Sequence, residues 1–355
     1  MNASERYGGD RPIKADIVFI EDRCMHRKSV FAQCGPCVEA CPSHAIRQSD
    51  EEAVPSFDPS QCLHCGTCLA SCPFEAFQAT NFSERKMLKR VAGTGPVRMR
   101  CWLPQGELSA LGSSIDSYQV AVCLAALTPA ALFSLARDRG CIVATGRCEA
   151  CALYRTVGPV LRQNLRRARL LLGDWHREAN LVDEGGVAFP AASLPEEIVR
   201  AAKAEPGATR SAARALFHRW SDGGEGAAVE EAIRSVKRHV IDWRAVLEQR
   251  WGEADEGQTD GGAYPWPRQV VDAARCLACG TCVSMCPTRA ISLVGEGACA
   301  SYRFNPGRCS ECGLCVRSCP QQAIERAKEP MARPFDEREC FCRMTFSQAE
   351  GPGNA

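Results

Sequence analysis

One phrase recurs four times along the 355-residue chain: CPSHAI at 41–46, CPFEAF at 72–77, CPTRAI at 286–291 and CPQQAI at 319–324. Three of the phrases close a full run C-x2-C-x2-C-x3-C-P, formed by Cys62, Cys65, Cys68 and Cys72, by Cys276, Cys279, Cys282 and Cys286, and by Cys309, Cys312, Cys315 and Cys319. The first phrase closes a variant, Cys24, then Cys34, Cys37 and Cys41. Three thiols two residues apart lie on one tight loop that can wrap three corners of an iron-sulfur cube, and the proline turns the chain out of that loop. The fourth corner has to come from elsewhere in the sequence. Zinc sites use well-separated C-x2-C pairs and have no need for three closely spaced thiols plus a distant fourth.

Disulfides fit the pattern no better. A chain of this length can bury a core in each of two or three domains, so its 24 cysteines are not compensating for small size, and most of them fall in tight groups. The opening residues MNASERYGGDRPIKAD lack an apolar signal core, and no apolar run reaches membrane-spanning length. The expectation is a cytoplasmic protein with no membrane span, where dense cysteine serves metal or redox chemistry. Lys+Arg 43 against Asp+Glu 42 leaves no global field to attract nucleic acid.

The cysteine runs resemble those of bacterial-type two-cluster ferredoxins over roughly residues 14–80 and 265–328. In that family the fourth ligand of each 4Fe-4S cluster is the cysteine before the proline of the other run. The resemblance implies four 4Fe-4S clusters: Cys24, Cys34, Cys37 with Cys72; Cys62, Cys65, Cys68 with Cys41; Cys276, Cys279, Cys282 with Cys319; and Cys309, Cys312, Cys315 with Cys286. Phe57-Asp58-Pro59 and Phe304-Asn305-Pro306 each place phenylalanine five residues before a first cysteine, so the duplication extends beyond the thiols. Nine residues separate Cys24 from Cys34 where two are usual; a three-iron cluster, or His26 as ligand, is the alternative there. The DIVFIEDRC stretch reads as the strand that precedes a first ligand. His64 stands where Ala278 stands in the other module, which makes it a neighbour of a cluster rather than a ligand.

Residues 96–172 read as an α/β domain, with strands VRMRCW, YQVAVC and CIVATG ending at or leading to Cys101, Cys123, and Cys148 with Cys151. Thr128 and Pro129 suit the cap and first position of a helix that Gly140 closes, and GPVLRQNLRRARLLL is an amphipathic helix. Open α/β sheets bind ligands beyond the carboxyl ends of their strands, where these four thiols fall. The segment resembles the delta, or iron-sulfur, subunit of methyl-viologen-reducing hydrogenases through CW at 101–102, the cysteine of VAVCLAALTPA and the GRCEAC region; Pro104 stands where that family has a further cysteine. The resemblance implies a 2Fe-2S cluster, although four thiolates also serve a 4Fe-4S cluster or stay as buried thiols.

The expected class is α+β, with ferredoxin-like domains at 14–90 and 265–328 flanking the α/β domain at 96–172 and a helical segment at 173–264, then a tail at 329–355. Within 173–264 the stretch AAVEEAIRSVKRHVIDWRAVLEQRW carries an apolar stripe that includes Trp243 and Leu247. In the tail, Phe335 stands five residues before Cys340, like an uncompleted fifth repeat; Cys340, Cys342, Cys141 and Cys299 stay unassigned. There is no G-x-G-x-x-G opening a helix and no G-x-x-x-x-G-K-[ST], so no catalytic site is expected. The expectation is an electron-transfer subunit that relays single electrons between protein donor and acceptor subunits of one oxidoreductase complex. The alternative is an iron-sulfur maturation or redox-sensing protein with labile clusters.

Overall fold

The computed structural model describes residues 16–32, 34–48, 53–93, 95–101, 116–146, 148–149, 151, 153–185, 243–254, 264–296, 299–327 and 340–345. Packing divides the chain into two units, Met1–Arg27 with Gly35–Ile241, and Lys28–Cys34 with Asp242–Ala355. Helix and strand are mixed in small sheets, an α+β architecture.

The first unit opens with β1 (Ile17–Phe19), α1 (Met25–Lys28), α2 (Pro36–Glu39), β2 (Ile46–Arg47), β3 (Ser56–Phe57), α3 (Thr67–Ser71), β4 (Phe77–Ala79) and α4 (Glu84–Arg90). Strand β1 pairs antiparallel with β4, and β2 with β3. Their sides meet at Phe77, which stacks on Phe19 at 4.7 Å and takes Phe57 edge-on at 5.7 Å. The short elements leave most of the backbone in cysteine loops.

Next come β5 (Val97–Arg100), β6 (Asp116–Gln119), α5 (Pro129–Arg139), β7 (Cys141–Val143), α6 (Tyr154–Gly173) and β8 (Leu181–Asp183). They build a parallel sheet in the order β6-β5-β7-β8. Helix α5 forms where its signals place it: the Thr128 hydroxyl accepts from Ala131 N at 3.1 Å, Pro129 opens the helix, and Gly140 closes it at φ +85°. Buried Leu132, Phe133 and Leu172 line the helix faces, and Val97, Met99 and Val143 the strands.

Two expectations change here. The strand expected to run to Cys123 ends at Gln119; Val120 N still donates to Arg100 O at 2.8 Å, and Cys123 lies beyond the sheet. A fourth strand, β8, falls inside the span read as helical; three residues are too few to show a period of two.

The second unit holds α7 (Trp243–Gly252), β9 (Gln269–Val271), α8 (Thr281–Met285), β10 (Ile291–Glu296), β11 (Cys299–Phe304), α9 (Leu314–Arg317), β12 (Ile324–Arg326) and β13 (Cys340–Thr345). Its β9–β12 and β10–β11 pairs repeat the two antiparallel pairs of the first unit, with the hairpin lengthened to six residues a strand. Helix α7 is the described end of the expected long helix; Val229, Ile233, Val236, Val240 and Ile241 lie outside the described residues. Glu248 on α7 grips Arg308 through two bonds, 2.9 and 2.6 Å, just before Cys309. The expected fifth repeat forms no cysteine loop over its described residues: Cys340–Thr345 is a strand paired with β11, and Phe335 lies outside the described residues.

Candidate iron-sulfur sites

The sequence repeat is also a repeat of backbone geometry. Each alanine of the four CPxxA phrases is buried, at 2 % exposure for Ala45, Ala76 and Ala290 and 1 % for Ala323. The carbonyls of these alanines take Asp58 N, Ile20 N, Asn305 N and Asp272 N at 2.8, 2.7, 2.8 and 2.8 Å respectively, which ties each loop to the strand end beside it. Three of the alanines also donate their N–H to the cysteine of their own phrase: Ala76 to Cys72 Sγ at 3.3 Å, Ala290 to Cys286 Sγ at 3.2 Å and Ala323 to Cys319 Sγ at 3.3 Å. Asp58 and Asn305, noted in sequence only as neighbours of a repeated phenylalanine, cap the turns that lead into Cys62 and Cys309.

Residues other than glycine take positive φ at one place in all four repeats and at a second place in three of them. These are His44, Glu75, Arg289 and Gln322, three residues after the phrase cysteine, and His64, Ala278 and Glu311, just before the second cysteine of a run. Such a conformation costs an L-residue about 1–2 kcal/mol. What it provides is a concave row of N–H groups suited to an anion, the arrangement that surrounds many iron-sulfur groups. His64 N and Glu311 N each reach the sulfur two residues back, Cys62 and Cys309, at 3.4 Å. The His64 ring lies 3.8 Å from the Asp16 carboxylate.

The thiols gather in groups that cross between runs. Burial pushes Cys62 up to about 11, and the Cys65 and Cys41 thiols reinforce it. Burial likewise lifts Cys68 well above its ordinary value, with Cys65, Cys62, Cys41 and Cys37 adding to the shift. Cys41, from the other run, thus sits among Cys62, Cys65 and Cys68. Cys72 is raised by burial and in smaller part by Cys24. Cys34 is half-buried and groups with the second unit.

In the second unit, burial pushes Cys309 and Cys315 up to about 12, with Cys286 and Cys312 contributing to both. Cys276, Cys279, Cys282 and Cys319 line one cavity together with Val271, Leu277 and Tyr302. Among them Cys279 is an exposed thiol that the Thr281 hydroxyl at 3.3 Å holds below its ordinary value.

At the carboxyl end of the parallel sheet a third grouping forms. Burial raises Cys123, and Cys65, Cys101 and Cys148 add to it. Cys148 is pushed up to about 12 by burial first, then by Cys101, Cys151 and Asp183. Cys123 N also donates to Cys65 O at 3.0 Å, so this grouping abuts the loop of Cys62, Cys65 and Cys68. Gly66, at φ +78°, permits the approach: a Cβ there would lie 3.0 Å from Ala126 Cβ and 3.1 Å from Val122 Cβ. Cys141 is buried in β7 with its thiol pushed up to about 12. Cys299 and Cys340 lie toward opposite ends of the β11–β13 ladder, facing Thr345 and Arg303.

Among the described residues no three His, Cys, Asp or Glu side chains converge tightly enough for a single metal ion. The donor set fits a larger group: buried thiols with raised pKa values need nearby cations to become thiolates, and the surrounding N–H groups suit the charge of a thiolate-bound cluster. Sequence reasoning missed the alanines and the left-handed residues, although the invariant alanine of the four phrases was a visible signal.

A family model described as a 4Fe-4S dicluster domain matches residues 32–76 and again 275–323. Cys24 lies outside the matched residues. No curated protein matches the chain. Toward each end, then, the chain carries a ferredoxin-like 4Fe-4S domain, a kind that serves iron-sulfur electron transfer. Among the described residues no helix is long and apolar enough to cross a membrane.

Proposed function

We propose that the chain relays single electrons between protein partners of a multisubunit oxidoreductase of hydrogenase, dehydrogenase or reductase type. Bound clusters would supply reversible one-electron chemistry, and the residues set where and at what potential it happens. The observation that carries the reading is the contact between Cys65 and Cys123, which makes a ferredoxin loop continuous with the central thiols. That continuity favours a fifth iron-sulfur group at Cys101, Cys123, Cys148 and Cys151, in line with the resemblance to the delta subunit of methyl-viologen-reducing hydrogenases. The proposed assignment keeps the sixteen ferredoxin cysteines as the ligands of four 4Fe-4S clusters. The domain limits read from sequence are kept as part of the proposal, with β8 added to the α/β domain.

The chain's own groups shape such a relay. Backbone N–H groups of Ala76, Ala290 and Ala323 stabilise charge on the ligand sulfurs, and Arg244 and Arg326 place positive charge near Cys309. The rival reading, a protein with a labile cluster, draws support from the exposed Cys279. Coulometric titration of anaerobically prepared protein separates the two. A relay takes up about five electrons, one per cluster, reversibly and with no loss of iron to an apo-acceptor. Transfer of about four irons to the acceptor would instead identify a carrier.

A further inference from the structure

The carboxyl edge of the parallel sheet holds a set of charges that the relay itself does not explain. Strand β8 ends on Asp183, and Glu184 follows it in the turn. Glu184 is matched by Arg98, whose side chain is 3 % exposed and meets it at 2.8 Å. Arg169, on α6, donates to Leu181 O at 3.3 and 3.2 Å and senses the charge of Asp183. The Asp183 carboxylate is held at one oxygen, Oδ1, which accepts from the Thr145 hydroxyl and from Gly185 N at 3.2 Å. Thr145 in turn accepts Cys148 N through its carbonyl at 2.7 Å. One short stretch of chain therefore anchors both the carboxylate and a thiol of the central grouping.

From this geometry we infer that Asp183 is a charge-positioning residue that keeps the reduction potential of the central four-thiol site low. The inference rests on the proposed fifth iron-sulfur group. A cluster held by four thiolates is already anionic, and reduction adds one electron to it without releasing a ligand. A carboxylate held at fixed position in a partly buried site disfavours that added charge far more than a mobile, solvated one. Glu184 is neutralised by Arg98, whereas Thr145 ties the Asp183 carboxylate to the turn that holds Cys148, which sets Asp183 beside the central site with Arg169 as its nearby cation.

The test is a redox titration of the full chain with dithionite and mediator dyes, followed by EPR, in the wild type and in Asp183→Asn, Asp183→Glu and Thr145→Val. The central signal is the one present in the wild type and missing from Cys151→Ser. Asp183→Asn is expected to move its midpoint to more positive potential with iron content unchanged. Asp183→Glu should restore the wild-type midpoint, and Thr145→Val, which frees the carboxylate, should give a smaller shift of the same sign. An unmoved midpoint in Asp183→Asn overturns the inference and leaves the fifth cluster standing. Loss of the central signal in Asp183→Asn, with no shift in Thr145→Val, also overturns it by making Asp183 a purely structural residue. Identical iron content and EPR in the wild type and Cys151→Ser overturn the fifth cluster, and the inference with it.

Discussion

Gly66 and Gly280 occupy the same place in two copies of one loop, C-G-T-C, and take nearly the same backbone conformation, φ +78° and +74°. Their surroundings differ. A methyl at Gly66 would press on Ala126 Cβ at 3.0 Å and Val122 Cβ at 3.1 Å, whereas one at Gly280 meets nothing within 4 Å. Gly280→Ala therefore carries only the cost of a left-handed alanine, about 1–2 kcal/mol. Gly66→Ala carries that cost plus about 1–3 kcal/mol for forcing apart the ferredoxin loop and the segment after Cys123. Anaerobic urea titration of each holoprotein, followed by cluster absorbance and far-UV circular dichroism, reads both. Gly66→Ala should unfold at clearly lower urea relative to wild type, and it should also broaden or shift the EPR signal lost in Cys151→Ser, which Gly280→Ala leaves alone. Equal destabilisation by the two substitutions would refute the tight junction on which the relay reading depends.

Thr128→Ala should cost about 1–2 kcal/mol, because the residue caps α5 and both its N–H and its hydroxyl donate to Glu84, at 2.7 and 3.0 Å; thermal melts check this. Arg98→Ala leaves Glu184 partly buried without its 2.8 Å partner and should lower stability by about 3–5 kcal/mol, measured by urea unfolding. Cys141 ionises near 9.0 when unfolded but only at about 12 when folded, so its contribution to stability is complete below pH 9 and is lost as pH rises toward 12. Cys141→Ala should accordingly flatten the fall in stability across that window while iron content stays the same.

The cysteine loops were legible because their spacing is covalent: a C-x2-C-x2-C run can form little else than a tight loop, whatever surrounds it. Helix α5 was legible for a similarly local reason, its Thr128 cap, Pro129 start and Gly140 stop. What escaped depends on distant contacts. Strand β8 is three residues long and gains its place by pairing with β7, from Leu181 beside Cys141 to Asp183 beside Val143. Nothing local in the strand sequence marks Arg98 for burial; its partner, Glu184, comes from far along the chain. The left-handed His64, Ala278 and Glu311 share no residue type; the loop imposes their backbone, and any side chain that tolerates it serves. The contact of Cys123 with Cys65 was equally hidden, since no local pattern links the two.

Iron and acid-labile sulfide analysis of anaerobically prepared full-length protein, with zinc measured in parallel, tests the central claim most directly. Four 4Fe-4S clusters and one 2Fe-2S group predict about 18 irons per chain with matching sulfide. About eight irons would contradict the assignment of two clusters to each ferredoxin-like domain, and zinc as the main metal would contradict the account as a whole.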